Sequence, residues 1–367
     1  MPVSIIGNSG IQFPDNSLQT AAASPFVLKN RIINGDMRID QRNAGASVTP
    51  SSTGTTYTLD RWKIEVSSGS KISVQQNAGS VTPPTGFTKY LGITSLAATS
   101  LGATDYYILS QNIEGLNIAD LEWGTANAQA VTLSFWVRSS LTGTFGGVLY
   151  NYTGAISYPF SYTISSANTW TKISITIAGP TTGTWLSDTG IGLSVVFGLG
   201  AGSSVSGTAG SWQSTLYRSA TGATSVVGTN GATFYITGVQ LEVGTSATPF
   251  ERRLYGQELA LCQRYYQRLT SLSGNYVGFG VGRNVTTTAS DIYIKYANTM
   301  RSAPTIGLSN VKTDSTGTSP PTLGIAYYGS DSVLISLSGG SGLTAGQATT
   351  FIGNNNANAY VDFSAEL

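Results

Sequence analysis

Strict alternation of apolar and polar side chains limits this chain more than any other feature. In Val131–Arg138, Val131, Leu133, Phe135 and Val137 share one face, while Thr132, Ser134, Trp136 and Arg138 share the other. A period of two is the repeat of a β-strand with one face buried. Trp170–Ile177 repeats it, with Ile173, Ile175 and Ile177 opposite Lys172, Ser174 and Thr176. Leu193–Leu199 and Phe234–Val243 are apolar at nearly every position, as strands covered on both faces are. Turn-rich stretches such as Gly200–Ser211 and Ser219–Gly231 separate these runs. The pattern predicts an all-β protein with a large jelly-roll β-sandwich over residues 25–253. Strands expected at Tyr276–Val281, Asp291–Tyr296, Thr305–Leu308, Ser332–Leu337 and Tyr360–Ala365 make a smaller C-terminal β-sandwich over residues 271–367.

One segment breaks the rhythm. Thr248-Pro249-Phe250-Glu251 has the form of a capping box with proline at the first helical position. Tyr255, Leu259, Cys262 and Tyr266 then follow at i, i+4, i+7 and i+11, one face of a helix. A short connecting helix is expected over 254–270, regular over Leu254–Gln267. Its narrow seam suits packing on its own sandwich or on two further copies about a three-fold axis, so these four residues are the oligomerisation candidates. Residues 1–24 have few apolar side chains and no second half for a core, so order there is expected only from a partner.

Composition now excludes chemistry. There is no histidine, which removes Ser-His-Asp relays and His-ligated metals. Cys262 is the single cysteine, so internal disulfides are impossible. Lys+Arg 19 against Asp+Glu 18 leaves a net charge of +1, without a basic run to grip nucleic acid or anionic lipid. No leader of the Sec type and no apolar run of 18 residues occurs, so a soluble chain without membrane insertion is expected, made in the host cytoplasm without a signal peptide.

Three stretches together resemble the tail-fibre and receptor-binding proteins of tailed bacteriophages. They are Gly10–Thr20 (GIQFPDNSLQT), Asn30–Arg42 (NRIINGDMRIDQR) with Tyr57–Trp62 (YTLDRW), and Ile236–Arg268 (ITGVQLEVGTSATPFERRLYGQELALCQRYYQR). The closing Tyr360–Leu367 (YVDFSAEL) is similar to the last strand of fibre-tip domains, and the interior strands are similar in kind to carbohydrate-binding-module jelly rolls. The resemblance implies a virion protein, usually a homotrimer, that recognises host-surface polysaccharide. It implies attachment to other tail or baseplate proteins through Ile11, Phe13, Pro14, Asp15 and Gln19. It places Trp62 in the framework of the sandwich. Collagen-like repeats and a heptad stalk are absent from the sequence.

Sugar recognition needs flat aromatic faces beside neutral hydrogen-bonding groups. Trp123, Tyr150, Tyr152, Tyr158, Trp185 and Trp212 sit in turn-rich surroundings and are the glycan candidates. Tyr150 and Tyr152, two apart, are expected on one strand face. Asn354, Asn355, Asn356 and Tyr360 form a second candidate set in the C-terminal domain. Each of these also has an ordinary packing role open to it. Hydrolysis would need two carboxylates about 5–9 Å apart; Glu114, Asp120 and Glu122 lie close in sequence, with Asp60 and Glu65 elsewhere. No cofactor is expected beyond a structural calcium, for which Asp36 and Glu242 are the candidate ligands. Gly278–Gly282 reads as a glycine-rich strand, not a phosphate loop. The expected function is adhesion without catalysis; a purely structural tail, collar or capsid-decoration role and a capsule-degrading glycosidase are the alternatives.

Overall fold

The computed structural model describes residues 4–5, 11–12, 18–19, 29–271, 276–313 and 321–367. Eleven strands build the two main sheets of the large domain. They are β1 Gly54–Leu59, β2 Trp62–Val66, β3 Ile72–Gln76, β4 Leu91–Ser95, β5 Tyr106–Glu114 and β6 Val131–Ser139, then β7 Gly143–Asn151, β8 Ile156–Ile164, β9 Thr171–Ile177, β10 Ile191–Ala201 and β11 Thr233–Val243. One sheet runs β8-β7-β10-β5-β2-β1 and the other β9-β6-β11-β4-β3. All pairings within both are antiparallel. The alternation of β6 is realised in part: Val131, Leu133, Phe135 and Val137 are buried in the core, but Thr132 and Ser134 on the opposite face are buried as well. The central strands β10 and β11 are buried on both faces. Phe135 and Phe197 meet edge to face at 5.0 Å across the core, and Trp62, fully buried, lies 6.4 Å from Phe197.

The helix is shorter than the sequence predicts. α1 spans Tyr255–Gln263, and Tyr266–Thr270 is a strand, β12. The capping-box residues are engaged elsewhere. Glu242 Oε2 accepts from the Thr248 hydroxyl at 2.6 Å, and Glu251 accepts from the Asn30 N–H at 2.7 Å. The helix starts where regular helix is expected: Leu254 is its N-cap, and the Leu254 N–H donates to Gln257 Oε1 at 3.2 Å. The proposed seam is therefore split. Cys262 is buried on the chain's own Ile33, Ile39 and Tyr265, Leu259 packs beside them, and Tyr255 is exposed. Tyr266 belongs to the C-terminal sheet, where its hydroxyl donates to Asp362 at 2.8 Å.

The C-terminal domain adds β13 Gly278–Asn284, β14 Ala289–Lys295, β15 Thr305–Ser309 and β16 Val311–Thr313, then β17 Thr322–Tyr328, β18 Ser332–Ser338, β19 Ala348–Gly353 and β20 Tyr360–Ser364. Its sheets run β12-β20-β15 and β16-β19-β13-β14-β18-β17, enclosing a core that includes Ile292, Ile335, Phe351 and Phe363. The five expected strands are present; β16, β17 and β19 are additional. Gly278–Gly282 lies in β13, as the sequence suggests.

Near the N-terminus, Ser4–Ile5, Ile11–Gln12 and Leu18–Gln19 pair as a small antiparallel sheet, so local pairing exists where the sequence predicts order only from a partner. Ile11 and Gln19 are register partners there; Phe13, Pro14 and Asp15 lie outside the described residues.

The stretches from Asn30 to Arg42, Tyr57 to Trp62 and Ile236 to Arg268 form one buried polar junction. The Trp62 indole donates to the Asn34 carbonyl at 3.0 Å, and Asn34 Nδ2 donates to the Ile39 and Asp60 carbonyls at 2.8 and 3.0 Å. Glu258 accepts from the Asn34 N–H, and Arg253 donates to the Ile32 carbonyl at 3.1 Å. Residues 365–367 plug the other side. Glu366 is gripped by Arg61 and Arg42, Arg301 Nε donates to the Ala365 carbonyl at 2.8 Å, and the Leu367 carbonyl accepts from Tyr57 and Asn112 at 2.9 and 2.8 Å. Arg61 and Arg42 lie over the Tyr265 and Tyr266 rings at 3.5 and 3.6 Å.

Candidate functional site

Four of the six candidate aromatics of the sandwich converge. Trp123, Trp185 and Trp212 come from three separate loops, and Tyr158 comes from β8. Trp123 meets Trp185 at 4.8 Å and Trp212 at 5.5 Å; Tyr158 meets Trp212 at 5.4 Å, all edge to face. This geometry is the favoured one for aromatic quadrupoles. The indole N–H groups are satisfied by loop carbonyls: Trp123 donates to Gln129 at 2.7 Å and Trp212 to Ala178 at 2.8 Å. Gly124 permits the approach of two loops. Its φ is +87°, and a Cβ there would lie 2.4 Å from the Gly183 carbonyl oxygen.

Beside the cluster runs an open groove of about 380 Å³. Trp123 and Trp185 line it together with Glu122, Thr125, Asn127 and Ser187. Trp123 is buried and Trp185 half-buried, so Trp185 supplies the accessible ring. The arrangement offers flat apolar faces flanked by an amide, two hydroxyls and one carboxylate.

The other candidates are placed differently. Tyr150 is buried, so its ring takes the packing role and not the glycan one. Its hydroxyl accepts from Arg218 at 3.1 Å, and burial, with Glu65 adding, pushes the phenol up to about 12. Tyr152 is exposed, just beyond the end of β7, with its ring 6.4 Å from that of Tyr150. Neither lines the tryptophan groove. Asn354, Asn355 and Asn356 form the turn before β20, where the Asn354 N–H donates to the Asn310 carbonyl and Asn356 Oδ1 accepts from Asn358, both at 2.8 Å. Tyr360 is half-buried beneath Arg268, 4.0 Å from the ring centre.

The carboxylates have separate partners. Glu114 makes a two-pronged contact with Arg264, both distances 2.9 Å. Burial works to raise its carboxyl, yet Arg264, aided by Tyr265, brings it below the usual value. Asp120 pairs with Arg31, Glu65 with Lys63 at 3.2 Å, and Asp60 accepts from Gln41 at 2.9 Å. Asp36 pairs with Arg38, whereas Glu242 accepts from Gln240 and from the Thr248 N–H, both at 2.8 Å. Among the described residues, no three carboxylate or cysteine side chains converge as a metal site, and no helix is long and apolar enough to cross a membrane.

No protein-family model matches the chain, and no curated protein matches it. Several solved structures are similar in part. A bacteriophage CBA120 tailspike protein 4 enzymatically active domain is 11% identical over 59% of this chain and 21% of its own, with a TM-score of 0.34. The match thus spans about a fifth of the tailspike chain. A family 11 carbohydrate-binding module from Clostridium thermocellum, solved with a mixed-linked tetrasaccharide, is 13% identical over 55% of this chain and 100% of its own, with a TM-score of 0.29. The N-terminal cellulose-binding domain of Cellulomonas fimi β-1,4-glucanase C is 12% identical over 57% and 95%, with a TM-score of 0.26. No family follows from them.

Proposed function

We propose that this protein is a phage fibre component that adheres to host-surface glycan without cleaving it. The observation that carries the reading is the groove in which Trp123 and Trp185 lie beside Glu122, Thr125, Asn127 and Ser187. A pyranose packs its C–H face on the Trp185 ring, and the neutral side chains take its hydroxyls. Binding over hydrolysis is supported by the lone carboxylate of the groove: Glu122 lines it, while Glu114, Asp120, Asp60 and Glu65 are each engaged by another side chain. The fibre assignment is supported by the three resembling stretches. In this reading the chain acts in the virion as a homotrimer, and several weak contacts per particle add to a firm hold.

Calorimetric titration of the full chain with host polysaccharide fragments tests the reading. Trp185→Ala is expected to weaken binding about tenfold or more. Unchanged affinity would remove the groove, and release of new reducing ends would remove the non-catalytic role. Light scattering should give about three times the 38.3 kDa chain mass; a single chain mass would remove the trimer.

A further inference from the structure

A second cavity opens on the outer face of the five-stranded sheet, and it differs in charge from the tryptophan groove. β11 carries a bulge between Thr237 and Gln240, opposite Trp136 and Ser134 of β6. Gly238 sits in that bulge with φ +62°, and a Cβ there would lie 2.6 Å from the Phe87 ring and 3.2 Å from Trp136. Only glycine keeps this spot open. The resulting cavity holds about 190 Å³. That is below the roughly 300 Å³ of a drug-sized site, room for one sugar ring.

The walls are aromatic and cationic. Trp136 and Lys172 are cross-strand partners on one side. On the other, Arg252 lies over Phe87 at 4.7 Å and over Phe250 at 5.7 Å. Ser134 and Thr248 add hydroxyls, and no carboxylate lines the cavity. Lys29 Nζ, outside the lining, donates to the Thr248 hydroxyl. The acids bonded to Thr248 or next in sequence to Arg252 are engaged: Glu242 accepts from Thr248 and Gln240, and Glu251 accepts from the Asn30 N–H. Among the described residues, no ion pair involves Lys172 or Arg252. In a chain with nearly balanced charge, two cations left without acids at one aromatic-walled opening are a local excess.

We infer that this cavity binds an anionic hexose, one bearing a carboxylate or a phosphate. The ring packs against Trp136, and the anionic group lies between the exposed cations Lys172 and Arg252. The inference rests on the glycan-binding reading but not on the tryptophan groove. A uronic acid and a phosphorylated sugar present the same chemistry to the site.

The test uses the full chain with glucuronic acid, glucose 6-phosphate, glucose and inorganic phosphate as separate probes. At least one charged sugar should bind more tightly than glucose, with affinity falling as salt is raised. The pair of substitutions Lys172→Glu and Arg252→Glu should lower that affinity about tenfold or more. Trp136→Ala should lower it for the sugar acid and leave inorganic phosphate unaffected. Glucuronic acid favoured over glucose 6-phosphate identifies a uronate, and the reverse a phosphorylated sugar. Equal affinity for glucose and both charged sugars, or no effect of the charge reversal, overturns the inference. So does inorganic phosphate binding as tightly as the sugars. Trp185→Ala run in parallel separates the two sites: loss of neutral-oligosaccharide binding alone reports the groove, and loss of anionic-sugar binding in the charge-reversed chain alone reports this cavity.

Discussion

Replacing Asp60 with asparagine should make the protein more stable at neutral pH and leave it unchanged in acid. Asp60 is fully buried at the junction. Its Oδ2 accepts from the Gln41 N–H at 3.3 Å and from Gln41 Nε2 at 2.9 Å, but its Oδ1 accepts no hydrogen bond. The cation nearest it, Arg42, stands 3.8 Å from Oδ1 and is shared with Glu366 at 2.8 Å. Burial therefore dominates over Gln41 and Arg42 and pushes the carboxyl up from 3.8 to about 6. A raised acid binds its proton more tightly in the native state, so stability falls as pH rises from about 4 to about 6 and is flat beyond. Some two pH units at 1.36 kcal/mol each give a penalty of about 3 kcal/mol at pH 7. The amide keeps an acceptor for Gln41 and carries no charge to desolvate. Urea unfolding followed by tryptophan fluorescence between pH 4 and pH 8 measures the difference. The Asp60→Asn variant should exceed the parent by up to about 3 kcal/mol at pH 7.5, and the gap should close by pH 4. A gap independent of pH, or a variant less stable than the parent at pH 7.5, would refute the reasoning.

Other substitutions probe the same architecture. Glu114→Gln should cost roughly 1–3 kcal/mol in the same urea assay by breaking the Arg264 fork. Because the Glu114 carboxyl is lowered, its contribution is present at neutral pH and lost as pH falls below the ordinary carboxylate range. Trp62→Phe removes the donor to the buried Asn34 carbonyl and should cost about 1–3 kcal/mol, read as a lower urea midpoint; no change would show that water replaces the indole. Burial pushes the Cys262 thiol well above its ordinary value. A thiol reagent should leave it unmodified in the native protein and label it fully in urea; rapid native labelling would contradict its burial.

The strand pattern is legible because side chains alternate between the two faces of a sheet, so apolar and polar residues alternate locally, as in Val131–Val137. The helix end is not. Tyr266 fits a helical seam at i+11, but its backbone pairs with Ser364, a partner nearly a hundred residues away that no local period announces. Trp123, Trp185, Trp212 and Tyr158 are recognisable by their turn-rich context, and folding brings them together. Tyr150 shares that context yet is buried, because Ile108, Val196 and, from a distant loop, Leu216 and Tyr217 pack around it. The junction is illegible for the same reason: Arg61 and Glu366 meet from opposite ends of the sequence. The second cavity does leave a mark in the sequence, though a faint one. Trp136 stands on the otherwise polar face of β6, and Gly238 interrupts the apolar run of β11, as a bulge residue does.

The plug formed by residues 365–367 has a mechanical consequence. Traction on the C-terminal sheets does not travel along the backbone at β12 alone. It also crosses sideways through Glu366 into Arg61 and Arg42, and through Arg301 to the Thr189 carbonyl at 2.9 Å. Glu366 is held by one nitrogen from each of Arg61 and Arg42, and Arg301 bonds the Ala365 and Glu366 carbonyls, so several contacts share the load. Pulling the C-terminal sheets away therefore has to break these ion pairs and hydrogen bonds together with the backbone link.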